Sequence, residues 1–169
     1  MTLNSLPFPT VKLLLFCVAS SLLLLTSCDK KRVFDEYKSV GKSWNKDNVV
    51  RFDLPPIDTT KQYDLYLNIR DNNDYEFNNL FLIVTMEQPD KVTKVDTLEY
   101  QMADADGNLL GNGFTDIKES KLVYKNRIKF KSGNYKIHIQ QAIRKTGKIT
   151  GVEKLDGITD VGFRIEKSQ

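Results

Sequence analysis

Cysteine is almost missing from this chain: 169 residues contain two, Cys17 and Cys28. Cys17 sits inside an apolar N-terminal run and Cys28 ends that run, so no thiol remains downstream for a disulfide, metal cluster or redox pair. A domain built from the rest must stand on its core alone, even in an oxidising compartment. Histidine occurs once, as His138, and tryptophan once, as Trp44. With so few soft ligands a zinc site would need an unusual carboxylate-rich set. No nucleophile elbow, P-loop or dinucleotide fingerprint is present, and Gly111-Asn112-Gly113 lacks the strand-to-helix setting of a phosphate loop. Asp and Glu are plentiful enough to leave a glycosidase-type pair open, but abundance is not a signal. The expectation is a chain that is not an enzyme, takes no cofactor or metal, and has no small-molecule substrate. Strong charge of either sign is also missing: 25 Lys and Arg stand against 22 Asp and Glu. That balance gives no support to nucleic-acid binding.

What the chain does have begins with Lys12 and the apolar run Leu13 to Leu25, with no acidic residue before Asp29. This is the layout of a secretory signal peptide. The run is about a dozen residues, short of the roughly 20 needed to span a bilayer. It ends Leu25-Thr26-Ser27-Cys28, which resembles the lipobox of bacterial lipoproteins. The resemblance implies cleavage before Cys28 and a diacylglyceryl group on its sulfur, the thiolate being the nucleophile that takes the lipid. Two or more acyl chains hold a protein at a membrane where one does so only marginally. The chain therefore divides into a signal peptide 1–27, a lipidated cysteine and tether 28–47, and a domain 48–169. The 142 residues left after cleavage suit one domain and carry 24 basic against 22 acidic side chains. After Cys28 comes Asp29-Lys30-Lys31-Arg32, either a solvated tether or a basic patch on anionic head groups. Surface-exported lipoproteins resemble one another in carrying acidic residues just after the cysteine; this chain differs in being basic there, which leans toward a periplasm-facing cell-envelope protein and leaves inner or outer membrane open.

Beyond residue 47 the dominant signal is period two. Val50, Phe52 and Leu54 alternate with polar residues until Pro55-Pro56, which cannot donate to a ladder. Tyr63, Leu65, Leu67 and Ile69 form a second alternating run, closed by Asp71-Asn72-Asn73-Asp74. Asn79 to Met86 is apolar on both faces, as in a central strand covered on both sides or a short core segment that periodicity alone does not classify. Val95 to Met102 follows, with a turn at Asp104-Ala105-Asp106-Gly107. Thr115 to Lys121 reads as a short helix or loop. Leu122 to Phe130 slips phase near Asn126, where a bulge would restore register. Tyr135 to Arg144 alternates most cleanly, and Val161 to Ile165 makes the last strand. About eight strands and no long amphipathic helix predict an all-β fold: an antiparallel β-sandwich, jelly-roll-like in order.

Few residues invite a functional reading. Asp104, Asp106 and Asn108 resemble half a calcium loop, but the twelfth position is Thr115 and not an acid, so an ordinary turn is expected. The polar face of the Tyr135 to Arg144 strand, including Gln140 and Arg144, together with Trp44, is the candidate partner surface. The alternative is a glycan-binding module using Trp44, Tyr66, Tyr75 and Tyr124, which requires those aromatics to line one concave face.

Taken in order, FDEY (Phe34 to Tyr37), Trp44, NNLFLIV (Asn78 to Val84), DTLEY (Asp96 to Tyr100), Ala103-Asp104, Gly107, Leu110 to Gly113, GNYKIHIQQAIR (Gly133 to Arg144) and GITDVGFRIEK (Gly157 to Lys167) resemble the GldH family of gliding motility lipoproteins of the Bacteroidetes. The resemblance implies a lipoprotein, held at the membrane through Cys28, that serves the adhesin-moving machinery tied to type IX secretion. Its implied partners are proteins of gliding or type IX secretion. It carries over no catalytic residue, and members also occur in bacteria that do not glide.

Overall fold

Alternating side chains give a strand two faces, and here one face of nearly every strand is apolar enough to demand cover. The computed structural model describes residues 29–113 and 116–169, so the signal peptide and Cys28 lie outside the described residues, as does Thr115. Ten strands follow in order: β1 (Arg32–Ser39), β2 (Ser43–Asn45), β3 (Val50–Asp53), β4 (Tyr63–Asp71), β5 (Asn79–Glu87), β6 (Thr93–Gln101), β7 (Lys118–Ile128), β8 (Lys136–Gln141), β9 (Lys154–Asp156) and β10 (Ile158–Lys167). One sheet has the order β1-β10-β4-β7, the other β3-β8-β5-β6, and β2-β9 form a small ribbon. Every pairing is antiparallel.

Five of these pairings nest. β5 pairs with β6, β4 with β7, β3 with β8, β2 with β9 and β1 with β10. Residues 32–167 make one long antiparallel ribbon, folded at the β5–β6 turn and rolled so that its halves face each other. That is the jelly-roll sandwich expected from the sequence. The inner faces meet through Leu65, Leu67, Phe163 and Ile165 from one sheet, and Phe52, Leu82, Val84, Ile137 and Ile139 from the other, all fully or almost fully buried. Phe52 and Phe163 rings stand 6.2 Å apart across the gap. The edge where β6 meets β7 is closed by Tyr100 Oη donating to the Val123 carbonyl at 2.8 Å and Tyr124 Oη to Asp96 at 2.7 Å.

Two boundaries differ from expectation. Residues 32–47 are not tether: β1 completes the first sheet against β10, and β2 adds to the β9 ribbon. The sandwich occupies Lys31–Gln169. Val33, Phe34 and Tyr37 lie among charges in the sequence, but Phe34 packs on Phe52 and Phe163, while Asp35 on the opposite face pairs with Arg164 of β10. Lys118 to Lys121, expected in a helix or loop, begins β7. The bulge near Asn126 is present, as Tyr63 and Leu65 on β4 oppose Ile128 and Lys125 on β7, leaving one extra residue on β7. Arg127 there takes φ 53°, and its N–H donates to Asp64 at 2.8 Å.

The Asp104 turn is self-contained. Asp104 accepts from the N–H groups of Asp106 (2.9 Å) and Asn108 (2.8 Å) and from the Asn108 amide (3.0 Å). Bonds from Asn108 hold its carboxyl below the usual range. Gly107 closes the turn at φ +84° with nothing near its Cβ position. Gly107→Ala is therefore expected to cost only the left-handed backbone penalty, about 1 kcal/mol, readable as a small drop in melting temperature.

Candidate functional site

The two outer faces differ in how well they satisfy themselves. On the first sheet, Arg164 bonds both Asp35 and Glu166 at 2.6 Å, and Lys121 reaches the same Glu166 oxygen at 2.6 Å. Lys121 also lies 4.0 Å from the Tyr66 ring centre, and Arg70 stacks 4.2 Å over Tyr37 while bonding Glu119 at 2.8 Å. The Tyr37 ring covers Gly162, whose missing side chain leaves room for it; a Cβ there would approach the ring to 2.9 Å. Burial and the Glu119 contact push the Tyr37 hydroxyl up to about 12. Charges cover most of this face, with Val123 on β7 left 49% exposed.

The outer face of the second sheet is not so covered. β5 was expected to be covered on both sides, yet only Leu80, Leu82, Val84 and Met86 enter the core. Phe81, Ile83 and Thr85 point outward, half-buried, with no described element across them. Register sets Ile83 between Thr97 and Gln140, Phe81 beside Glu99, and Thr85 between Val95 and His138. Ala142 N–H donates to the Phe81 carbonyl at 2.9 Å, which carries the apolar row across to Ala142. Phe81, Ile83, Thr97, Ala142 and Arg144 line a shallow depression of about 470 Å³. At its end Val95 is 62% exposed.

The expected contact residues separate here. Arg144 is exposed on the rim of the depression. Gln140 is half-buried, and its amide donates 2.8 Å to the Lys46 carbonyl, holding the loop between β2 and β3. Trp44 does not belong to the surface: it is fully buried, with Nε1 donating to the Asn48 carbonyl at 2.7 Å. Phe81, Ile83 and Thr97 were missed because an apolar strand reads as core until the covering layer is known. His138 Nε2 lies 2.9 Å from Glu87 but off-axis for a hydrogen bond.

The aromatics that would serve a sugar do not gather. Trp44, Tyr75 and Tyr124 are core residues, and Tyr66 lies under Lys121 on the opposite sheet. Burial pushes the Tyr75 and Tyr124 hydroxyls up, the Tyr124–Asp96 bond adding to it. Among the described residues, no three of His, Cys, Asp and Glu stand together as a metal site.

Residues 32–165 match the family model described as GldH lipoprotein. The chain is 71% identical over 145 residues to the gliding motility lipoprotein GldH of Flavobacterium johnsoniae, covering 86% of this chain and 91% of that protein. It is 55% identical over 154 residues to the gliding motility lipoprotein GldH homolog of Christiangramia forsetii, covering 90% and 94%. Similarity to solved structures is distant. The infectious bursal disease virus VP2 subviral particle gives a TM-score of 0.37 at 15% identity, covering 82% of this chain and 34% of that one.

Proposed function

From the premise that this chain belongs to the GldH lipoprotein family, we propose that it is a lipid-anchored cell-envelope protein that supports gliding motility by binding other proteins rather than by catalysis. The family match over nearly the whole sandwich carries this reading, and the F. johnsoniae relative is named for gliding motility. The finer parts are that its partners belong to the gliding and type IX secretion machinery, that the anchor is Cys28, and that the domain faces the periplasm. The open face around Phe81, Ile83 and Arg144 is the part of the surface suited to such a partner, because its apolar side chains gain by being covered.

Cys28→Ala is expected to move the protein from the membrane to the soluble fraction and abolish its labelling by radioactive palmitate. A variant that stays in the membrane and takes up label would remove Cys28 from this role. For the partner, a photocrosslinking residue at Thr97 should trap gliding or type IX secretion proteins in intact cells, and one at the ion-paired Glu119 should not. A clean deletion that leaves both gliding and type IX secretion intact would end the functional reading.

A further inference from the structure

We infer that the end of the sandwich from which the tether leaves is a docking surface for anionic lipid. This rests on lipidation at Cys28, because only Asp29, Lys30 and Lys31 separate that residue from β1. Extended chain spans at most about 3.5 Å per residue, so a lipid on Cys28 holds this end of the domain within reach of the head groups.

The same end is the basic one. Its segments are tied together by observed contacts. Lys167 N–H donates to the Lys31 carbonyl at 2.9 Å, joining the end of β10 to the start of β1, and Ser168 N–H donates to the Gln62 carbonyl at 2.9 Å. The Tyr63 ring packs on Phe130 at 5.6 Å and Phe130 on Tyr135 at 4.9 Å. Lys131 bonds Asp90 of the β5–β6 turn, and Leu54 N–H donates to the Tyr135 carbonyl at 3.0 Å. The segments 31–32, 53–64, 87–94, 127–136 and 166–169 thus share one end. Together they hold ten Lys and Arg against six Asp and Glu, a net +4, while the remaining sandwich residues from 33 to 165 sum to −2.

Several of those cations are available. Lys91, Arg127, Lys129, Lys136 and Lys167 are exposed, and none makes a side-chain ion pair among the described residues. The bulge on β7 turns Arg127 outward while its backbone is held by Asp64. Cations near an anionic bilayer each contribute attraction that adds along the surface and fades within a Debye length. The surface in this protein lies beside the tether, where that short range is satisfied.

The test uses the sandwich without its lipid, residues 28–169 carrying Cys28→Ser, since Lys31–Gln169 holds its own complete core. It is sedimented with vesicles of phosphatidylcholine alone or with added phosphatidylglycerol. Binding is expected only to the second kind and should vanish as salt rises from about 0.05 to about 0.5 M. The combined variant Lys129→Gln, Lys136→Gln, Lys167→Gln should bind at least about tenfold more weakly. The far-end variant Lys145→Gln, Lys148→Gln, Lys154→Gln should bind as the parent does. Melting curves matching the parent show that both variants are folded. Equal weakening in both variants, equal binding to neutral vesicles, or no binding at low salt would overturn the inference. None of these results bears on the anchor, which the palmitate experiment tests separately.

Discussion

Trp44→Ala is expected to destabilise the protein by about 3–5 kcal/mol, the range for deleting a buried large aromatic. For a domain of this size that lowers the melting temperature by more than about 10 °C. The ring lies on the three-residue β2, paired to Leu155 of β9, and is fully buried. Short strands gain little from their ladder bonds, so the ring is what fixes this ribbon to the core. Its loss also leaves the Asn48 carbonyl without the indole donor. Trp44→Phe, which keeps most of the volume and loses the bond, should cost clearly less. Calorimetry on both variants decides the matter. A Trp44→Ala protein that melts like the parent but loses a partner would return the residue to the surface.

The second large effect is a pH dependence with one residue behind it. Asp71, the last residue of β4, points inward and is fully buried, and neither carboxyl oxygen bonds another described residue. Burial raises its pKa from 3.8 to about 7, while its own backbone and the charge of Lys118 oppose that more weakly. In the unfolded chain the group ionises near 3.8, so between about pH 4 and 7 the folded state holds a proton that the unfolded state has released. Stability therefore falls as pH rises through that window. The fall approaches about 4 kcal/mol at 1.36 kcal/mol per pH unit, and is complete above pH 7. Asp71→Asn keeps the shape without the charge. Denaturant titrations should find it close to the parent near pH 4 and more stable by up to about 4 kcal/mol at pH 8. Parallel stability profiles for the two proteins would show that Asp71 is not the group responsible.

Strand positions were the most legible part of the fold. The alternation at Val50 to Leu54, Tyr63 to Ile69 and Tyr135 to Ile143 reports a core on one side and water on the other, and the slip near Asn126 reports the β7 bulge. β1 was not legible, because its outward Asp35 and Tyr37 belong to a network whose other members, Arg164 and Arg70, come from distant strands. A row of charges reads as tether when its counter-charges are far away in sequence. The candidate surface was half legible. Arg144 stands where alternation puts it, while Gln140 looks free until Lys46 is brought beside it. Trp44 carried no periodic signal, since one aromatic in a three-residue strand has nothing to alternate with.

The nested pairing of the ribbon also sets when the fold can be finished. β1 is the first of the described strands, and its only sheet partner among them, β10, is the last. Contacts between such distant segments are slow to form, because loop closure must precede the gain from pairing. Until β10 arrives, β1 and β4 both present unpaired edges, the form in which strands recruit other chains. A polypeptide made N-terminus first must therefore keep from aggregating before its opening strand has anything to bind.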